Sequence, residues 1–264
     1  MAVPEHVRGA MDIARAAAVA GSEVIARAAL QPLDVENKGA VDLVTQVDLA
    51  AEAAIHAMLA ERSPGVPVLA EEAGGARSAR TRWIVDPLDG TTNFVHGFPH
   101  YAVSVALEVD GRLEAGCIAD PRSGRVALAG RGAGATVDGA PLKVSKTRSL
   151  GEALFVTGFA YDRRERPDFY LDRVRRALVA GQGLRRCGAA THDFWHIASG
   201  RADVYWEFAL GPWDVAAGVL LVREAGGAVT DLDGNDVDID HPEILATNGW
   251  LHEAALTLLS HGPR

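Results

Sequence analysis

Apolar positions along the chain change their spacing near residue 66. Over 5–30 and 48–62 they recur at helical intervals, the second set with Ile55, Met58 and Leu59 on one side before the stop signal Ser63-Pro64-Gly65, so two helices are predicted. Asn37-Lys38-Gly39 marks a turn between them. From Val66 onward, short β-branched runs predict strands over 66–69, 83–85, 101–109, 113–118, 125–129 and 135–137, with Asp110-Gly111 and Asp138-Gly139 as hairpin turns. After Leu150 the texture alternates. A strand over 153–157 leads to a helix with Tyr170, Val174 and Leu178 on one side, then come a helix over 190–199, a strand over 203–207, a helix over 213–225 and a strand over 244–247. No internal repeat or low-complexity linker interrupts this order. Strands alternating with helices around a hairpin-rich middle predict layered sheets and helices in two tightly joined halves, 1–149 and 150–264.

Composition narrows the class without changing that picture. The 264 residues suffice for a large core, and 48% hydrophobic with 23% charged residues excludes a mainly disordered chain. Two cysteines, Cys117 and Cys187, suggest neither a disulfide framework nor a cysteine-based zinc site, and a reducing cytoplasm is the simplest expectation. The alanine-rich start is broken by Glu5, Arg8, Asp12 and Arg15, so it reads as neither signal peptide nor membrane span. A net charge of −9 argues against general nucleic-acid binding. The arginines are nonetheless concentrated at 163, 164, 166, 173, 175, 176, 185 and 186, which reads first as a solvated helix face and second as a docking patch.

The densest chemistry lies in Trp83-Ile84-Val85-Asp86-Pro87-Leu88-Asp89-Gly90-Thr91-Thr92-Asn93-Phe94, where an apolar run delivers two carboxylates into a glycine turn. Pro87 stiffens the backbone between the acids, and Gly90 permits a ligand to approach the main chain. If Thr91 opens a helix, its first N–H groups form an anion site beside a cation site. Three more acids stand where apolar runs end: Asp48, Glu71 and Asp214. Singly, Asp48 fits a capping box with Thr45, Asp214 a helix first turn, and Glu71 a solvated loop. Together, converging carboxylates would repel one another unless a divalent cation neutralised them, and an oxygen-only set favours Mg²⁺ or Mn²⁺ over zinc. A hard metal beside an anion site points to metal-assisted phosphate-ester hydrolysis. His192 and His196 lack the intervening Glu of a zinc-peptidase motif and read as structural or rim residues, as do His96 and His100.

Four segments in order resemble the inositol monophosphatase family: Lys38 with Asp42-Leu43-Val44-Thr45-Gln46-Val47-Asp48; Leu69-Ala70-Glu71-Glu72-Ala73-Gly74; Asp86 through Pro99; and Trp213-Asp214-Val215-Ala216-Ala217-Gly218 with Glu224-Ala225-Gly226-Gly227. The resemblance implies a layered αβαβα sandwich, α+β or α/β in class, usually a homodimer. It implies two or three Mg²⁺ ions, with Mn²⁺ as a substitute. Glu71, Asp86 and the Leu88 carbonyl would hold one ion and Asp86, Asp89 and Asp214 a second, while Glu71 reaches a third through water. The 1–149 half would then carry most metal ligands, and the 150–264 half Asp214 and the substrate contacts. Asp48 and Thr91, with Glu71, would serve the attacking water, and Gly90 and Thr91 would receive the phosphate. Gly188, Ala189, Ala190 and Glu207 would contact the polyol, beside Asp89 and Thr92. Relatives acting on adenosine bisphosphates or histidinol phosphate often carry Lys at the Thr92 position, so the segment leans to inositol 1-phosphate or a similar polyol ester, with lithium sensitivity. Histidinol phosphate, fructose 1,6-bisphosphate and nucleotide phosphates are the alternatives within the superfamily. A non-enzymatic role with the transcription or ribosome-assembly machinery is the alternative outside it.

Overall fold

The computed structural model describes residues 3–30, 35–37 and 43–260, the side chains of 35–37 and 43–45 excepted. The turn expected at 37–39, Lys38 and Asp42 fall outside the described residues or their side chains. Three sheets are present among the described residues. A short antiparallel pair, β1 (Val35–Asn37) and β2 (Leu43–Thr45), stands apart from the main sheets. The larger sheet holds β3 (Val68–Ala70), β4 (Gly74–Gly75), β5 (Arg82–Asp89), β6 (Ala102–Val109), β7 (Arg112–Ala119), β8 (Val126–Gly130), β9 (Gly134–Val137) and β10 (Ala140–Pro141), in the order β10-β9-β8-β7-β6-β5-β3-β4. The smaller holds β11 (Leu154–Thr157), β12 (Gly183–Arg185), β13 (Val204–Phe208), β14 (Ala228–Thr230) and β15 (Glu243–Thr247), in the order β12-β11-β13-β15-β14.

Period-2 alternation sorts side chains into separate cores and so builds the layers. On β5, Trp83 and Val85 face helices α1 (Glu5–Ala28) and α2 (Gln46–Arg62), while Ile84 faces the opposite side. That opposite side packs on two helices in the middle of the molecule, α5 (Ala190–Ala198) and α6 (Pro212–Glu224), which follow the short α3 (Thr91–Val95) and α4 (Pro167–Ala180) in the chain. Val156 and Tyr205 cover the same two helices from the smaller sheet. Phe155, Val204, Trp206 and Leu245 point outward to α4 and α7 (His252–Leu259). The result is helix, sheet, helix, sheet, helix: the predicted αβαβα sandwich. Residues of both predicted halves meet in the central core, where α6 packs on the larger sheet.

The hairpins form as the turn chemistry requires. Asp110 and Gly111 both take positive φ (50° and 77°), as do Asp138 and Gly139 (50° and 81°), the pattern of a two-residue hairpin loop. Differences from the sequence expectation are local. The strand expected to end at Val85 runs on to Asp89, because Pro87 is accommodated by a bulge rather than a break. Strands β1, β2, β4, β10, β12 and β14 and helix α7 were not expected; each is short. Helix α2 begins at Gln46, so Asp48 lies in its first turn rather than at its start.

Candidate active site

The bulge in β5 decides the geometry of the acids. Residues three apart on a regular strand point to opposite faces. Here Asp86 pairs with Ser104 and Asp89 with Ala102, so three steps on β5 match two on β6, and the extra residue restores Asp86 and Asp89 to one side. Proline is tolerated there because a bulge needs no N–H in the ladder. Asp214 comes from the first turn of α6. Two bonds place it: the Ser104 hydroxyl donates to the Trp213 carbonyl at 3.1 Å, and the Asp214 carboxylate accepts from the Gly211 N–H at 2.5 Å. Gly218 lets Phe194 of α5 lie against α6, since a Cβ there would stand 2.3 Å from the ring. Oxygen atoms of Asp86, Asp89 and Asp214 consequently lie within 4.8 Å of one another.

Glu71 follows β3, where its N–H donates to the Val85 carbonyl at 3.2 Å. The turn beyond it is held by Glu52 of α2, whose carboxylate accepts from the Glu72 and Ala73 N–H groups, both at 3.0 Å. Asp48 is wholly buried and accepts from the Thr91 hydroxyl at 3.0 Å; the same hydroxyl lies 3.0 Å from the Leu88 carbonyl. Asp89 is tied from the other side by the N–H and hydroxyl of Thr191, at 2.7 and 2.5 Å. Glu207 on β13 accepts from the Tyr205 hydroxyl at 2.8 Å. A cavity of about 190 Å³ is lined by Glu71, Asp86, Leu88, Asp89, Asp214 and Glu207. The glycine turn from Gly90 to Thr92 and the segment 188–190 line it too, so of the expected site residues Asp48 alone is not on its wall, and Asp48 reaches it through Thr91.

Electrostatics mark this cluster as unstable when empty of positive charge. Burial, then the charges of Glu71, Asp89 and Asp214, push the Asp86 carboxyl well above the usual carboxylate range. Burial also raises Asp89, against the hydrogen bonds from Thr191. Burial and the Asp89 charge push Asp214 up to about 8. Asp86 Oδ2 is buried with no hydrogen-bond partner. Buried carboxylate oxygens are ordinarily paired or coordinate a metal, so this donor set fits a hard divalent cation.

A profile of the inositol monophosphatase family matches residues 8–262. The chain belongs to that family. It is 42% identical over 257 residues to the Nus factor SuhB of Pseudomonas aeruginosa, an alignment covering 94% of this chain and 95% of the relative. The structure of an inositol monophosphatase from Anabaena (Nostoc) superimposes with a TM-score of 0.88 at 39% identity, covering 96% of each chain. An IMPase/NADP phosphatase solved with Mg²⁺ and phosphate superimposes with a TM-score of 0.79 at 26% identity over 91% of each chain. The family is one of metal-dependent phosphatases, and membership supports phosphatase activity. Among the described residues no helix is long and apolar enough to cross a membrane.

Sequence reasoning missed several residues. Arg163 and Arg186 line the cavity, and in the sequence they were submerged in the arginine cluster. That cluster is divided. Arg173 is buried against the Leu259 carbonyl and Arg176 reaches the Leu258 carbonyl, while Arg164, Arg166, Arg175 and Arg185 are exposed. His192 and His196 line a separate cavity with Asp120 and Trp195, not the rim of the carboxylate site. Thr191 and Glu52 carry no motif signal at all. Gly90 does need to be glycine for the fold: its φ is +88°, and a Cβ would stand 2.9 Å from the His100 carbonyl oxygen and 3.2 Å from the Ala189 Cβ. Gly90→Ala is expected to lower stability by about 1–2 kcal/mol through the left-handed backbone. Displacing this turn in the wall of the carboxylate cavity should also lower kcat/KM about a hundredfold. Urea unfolding and steady-state kinetics on one preparation check both.

Proposed function

We propose that this protein is a Mg²⁺-dependent phosphomonoesterase that hydrolyses inositol 1-phosphate or a similar polyol phosphate. The observation that carries the reading is the convergence of Asp86, Asp89 and Asp214 beside a glycine turn that opens a helix. Glu71, Asp86 and the Leu88 carbonyl would hold one ion and Asp86, Asp89 and Asp214 a second, with Glu71 reaching a third through water. When bound, the cations neutralise the carboxylates and polarise the ester.

The chain's own groups do the rest. The Thr91 proton is committed to Asp48 and the Leu88 carbonyl, which leaves a hydroxyl lone pair to accept from, and so orient, the attacking water. The first N–H groups of α3 lack intrahelical partners and face developing negative charge on the phosphate. Gly188, Ala189, Ala190 and Thr92 line the cavity and would bound its polyol side. Because Tyr205 engages only Glu207 Oε2, Oε1 is left to accept from a substrate hydroxyl. Glu207→Gln is therefore expected to raise KM for inositol 1-phosphate about tenfold, the scale of one hydrogen bond. Hydrolysis of an aryl phosphate without hydroxyls should stay within about twofold.

A panel of inositol 1-phosphate, histidinol phosphate, fructose 1,6-bisphosphate and a nucleotide monophosphate, compared by kcat/KM with and without Li⁺, tests the assignment. Inositol 1-phosphate leading by tenfold or more, with Li⁺ inhibiting, is the expected result. Another ester leading would transfer the assignment to it. A second reading, partnership with the transcription machinery, is supported by the name of the Pseudomonas relative. The exposed arginines Arg164, Arg166, Arg175 and Arg185 are available to serve it, and it is compatible with catalysis. A homodimer and a cytoplasmic setting complete the proposal.

A further inference from the structure

Behind the carboxylate cavity, one ligand-capable atom from each of His100, Cys187 and Asp193 lies within 4.8 Å of the others. Asp193, in the first turn of α5, is wholly buried, and neither of its carboxylate oxygens has a hydrogen-bond partner. His100 Nε2, also buried and unpartnered, stands 3.9 Å from Asp193 Oδ1. Two unmet acceptors and one unmet ring nitrogen around a cysteine are costly unless something fills the space between them.

We infer that His100, Cys187 and Asp193 form a second metal site, for one Zn²⁺-like transition-metal ion, separate from the carboxylate cluster. Imidazole and thiolate donors select a borderline-soft ion where the all-oxygen cluster selects Mg²⁺. Tetrahedral Zn²⁺ bonds of 2.0–2.3 Å place donors roughly 3.5 Å apart, so side-chain movements of about an ångström close the set around an ion, with solvent as a fourth ligand. The backbone already holds the ligands together. Asn93 Nδ2 lies 2.7, 2.9 and 3.2 Å from the carbonyl oxygens of His100, Cys187 and Gly188, so one side chain clamps the two ligand-bearing segments. The sequence expectation of no cysteine-based zinc site rested on there being only two cysteines, Cys117 and Cys187. It could not see ligands drawn from residues 100, 187 and 193.

The site has a structural consequence for the neighbouring chemistry. Asp193 is two residues from Thr191, which holds Asp89, and Gly90 packs against the His100 carbonyl and Ala189. An ion bridging residues 100, 187 and 193 fixes the segments on which both the phosphate-facing turn and Asp89 rest. Binding must displace a proton from Cys187, whose thiol is raised by burial and the Asp193 charge, so affinity increases with pH.

The test uses the full chain with Mg²⁺ in excess, titrated with Co²⁺. A thiolate-to-cobalt charge-transfer band cannot arise from the all-oxygen cluster. The only other cysteine, Cys117, is wholly buried in the core between the larger sheet and α1 and α2. The expected result is a band of one Co²⁺ per chain, displaced by Zn²⁺, absent in Cys187→Ser, weakened in Asp193→Asn and retained in Asp214→Asn. A measurement needing no variant accompanies it: Zn²⁺ should slow alkylation of Cys187 in the wild-type protein by at least tenfold. No band, a band persisting in Cys187→Ser, or alkylation indifferent to Zn²⁺ would overturn the site.

Discussion

Asp89→Asn is expected to lower kcat/KM by about a thousandfold, equivalent to ~4 kcal/mol of transition-state stabilisation, while the metal-free protein stays folded and no less stable. The two halves of this expectation have one cause. Asp89 sits among Asp86 and Asp214 with its carboxyl raised by burial, and it raises both neighbours in turn. An asparagine keeps the shape and still offers an oxygen to the Thr191 N–H and hydroxyl. It removes a charge that only a bound cation needs. Function and metal-free stability therefore separate, as they do where a site carries a local conflict for its chemistry. Steady-state kinetics with Mg²⁺, paired with thermal melts in chelator, measure both; activity equal to wild type would remove Asp89 from the metal site.

Binding of Mg²⁺ near pH 7 is expected to release protons, and the stabilisation it gives should grow between pH 6.5 and 8.5. In the metal-free fold Asp214 and Glu207 are both pushed up to about 8, against ordinary values of 3.8 and 4.5. Through the interval between, the folded state holds protons that the unfolded chain has lost. Their contribution is present below the unfolded values and is lost as pH rises through about 8, the part lost across pH 6.5–8.5 being on the order of a few kcal/mol. His192 and His196, lowered to about 3 and 4 by burial, act with the opposite sign below 6.5, where only the unfolded chain takes up their protons. Above 6.5 that opposing contribution, which His100 and His252 share, fades and the carboxylates dominate. The Tm in chelator should fall across pH 6.5–8.5, and saturating Mg²⁺ should flatten that slope by keeping the ligand carboxylates ionised, leaving the part that Glu207 contributes. Calorimetry in buffers of different ionisation enthalpy counts the released protons. Equal slopes with and without Mg²⁺ would contradict a carboxylate site for the ion.

Much of this was legible in the sequence because the informative features are local. A proline between two acids, a glycine after them and β-branched runs between Asp-Gly turns each constrain their own few residues. The layering followed from alternation along β5 and β13 once neighbours were known. What escaped was set by distant contacts. The bulge that turns Asp86 and Asp89 to one side depends on the register against β6. Glu52 holding the turn after Glu71, and Thr191 holding Asp89, span 20 and 102 residues. Arg186 faces the cavity while Arg173 is buried under α7, a difference that their shared charge hides. Short edge strands such as β4 and β12 carry too few residues for a periodic signal, and tertiary pairing decides them.

The most direct test of the central claim is phosphate release from inositol 1-phosphate by the full chain, first in chelator and then across a Mg²⁺ titration. Release should not exceed the uncatalysed rate in chelator and should recover saturably with Mg²⁺, with Asp89→Asn and Asp214→Asn failing to recover. Release in chelator at the Mg²⁺-saturated rate would contradict the claim.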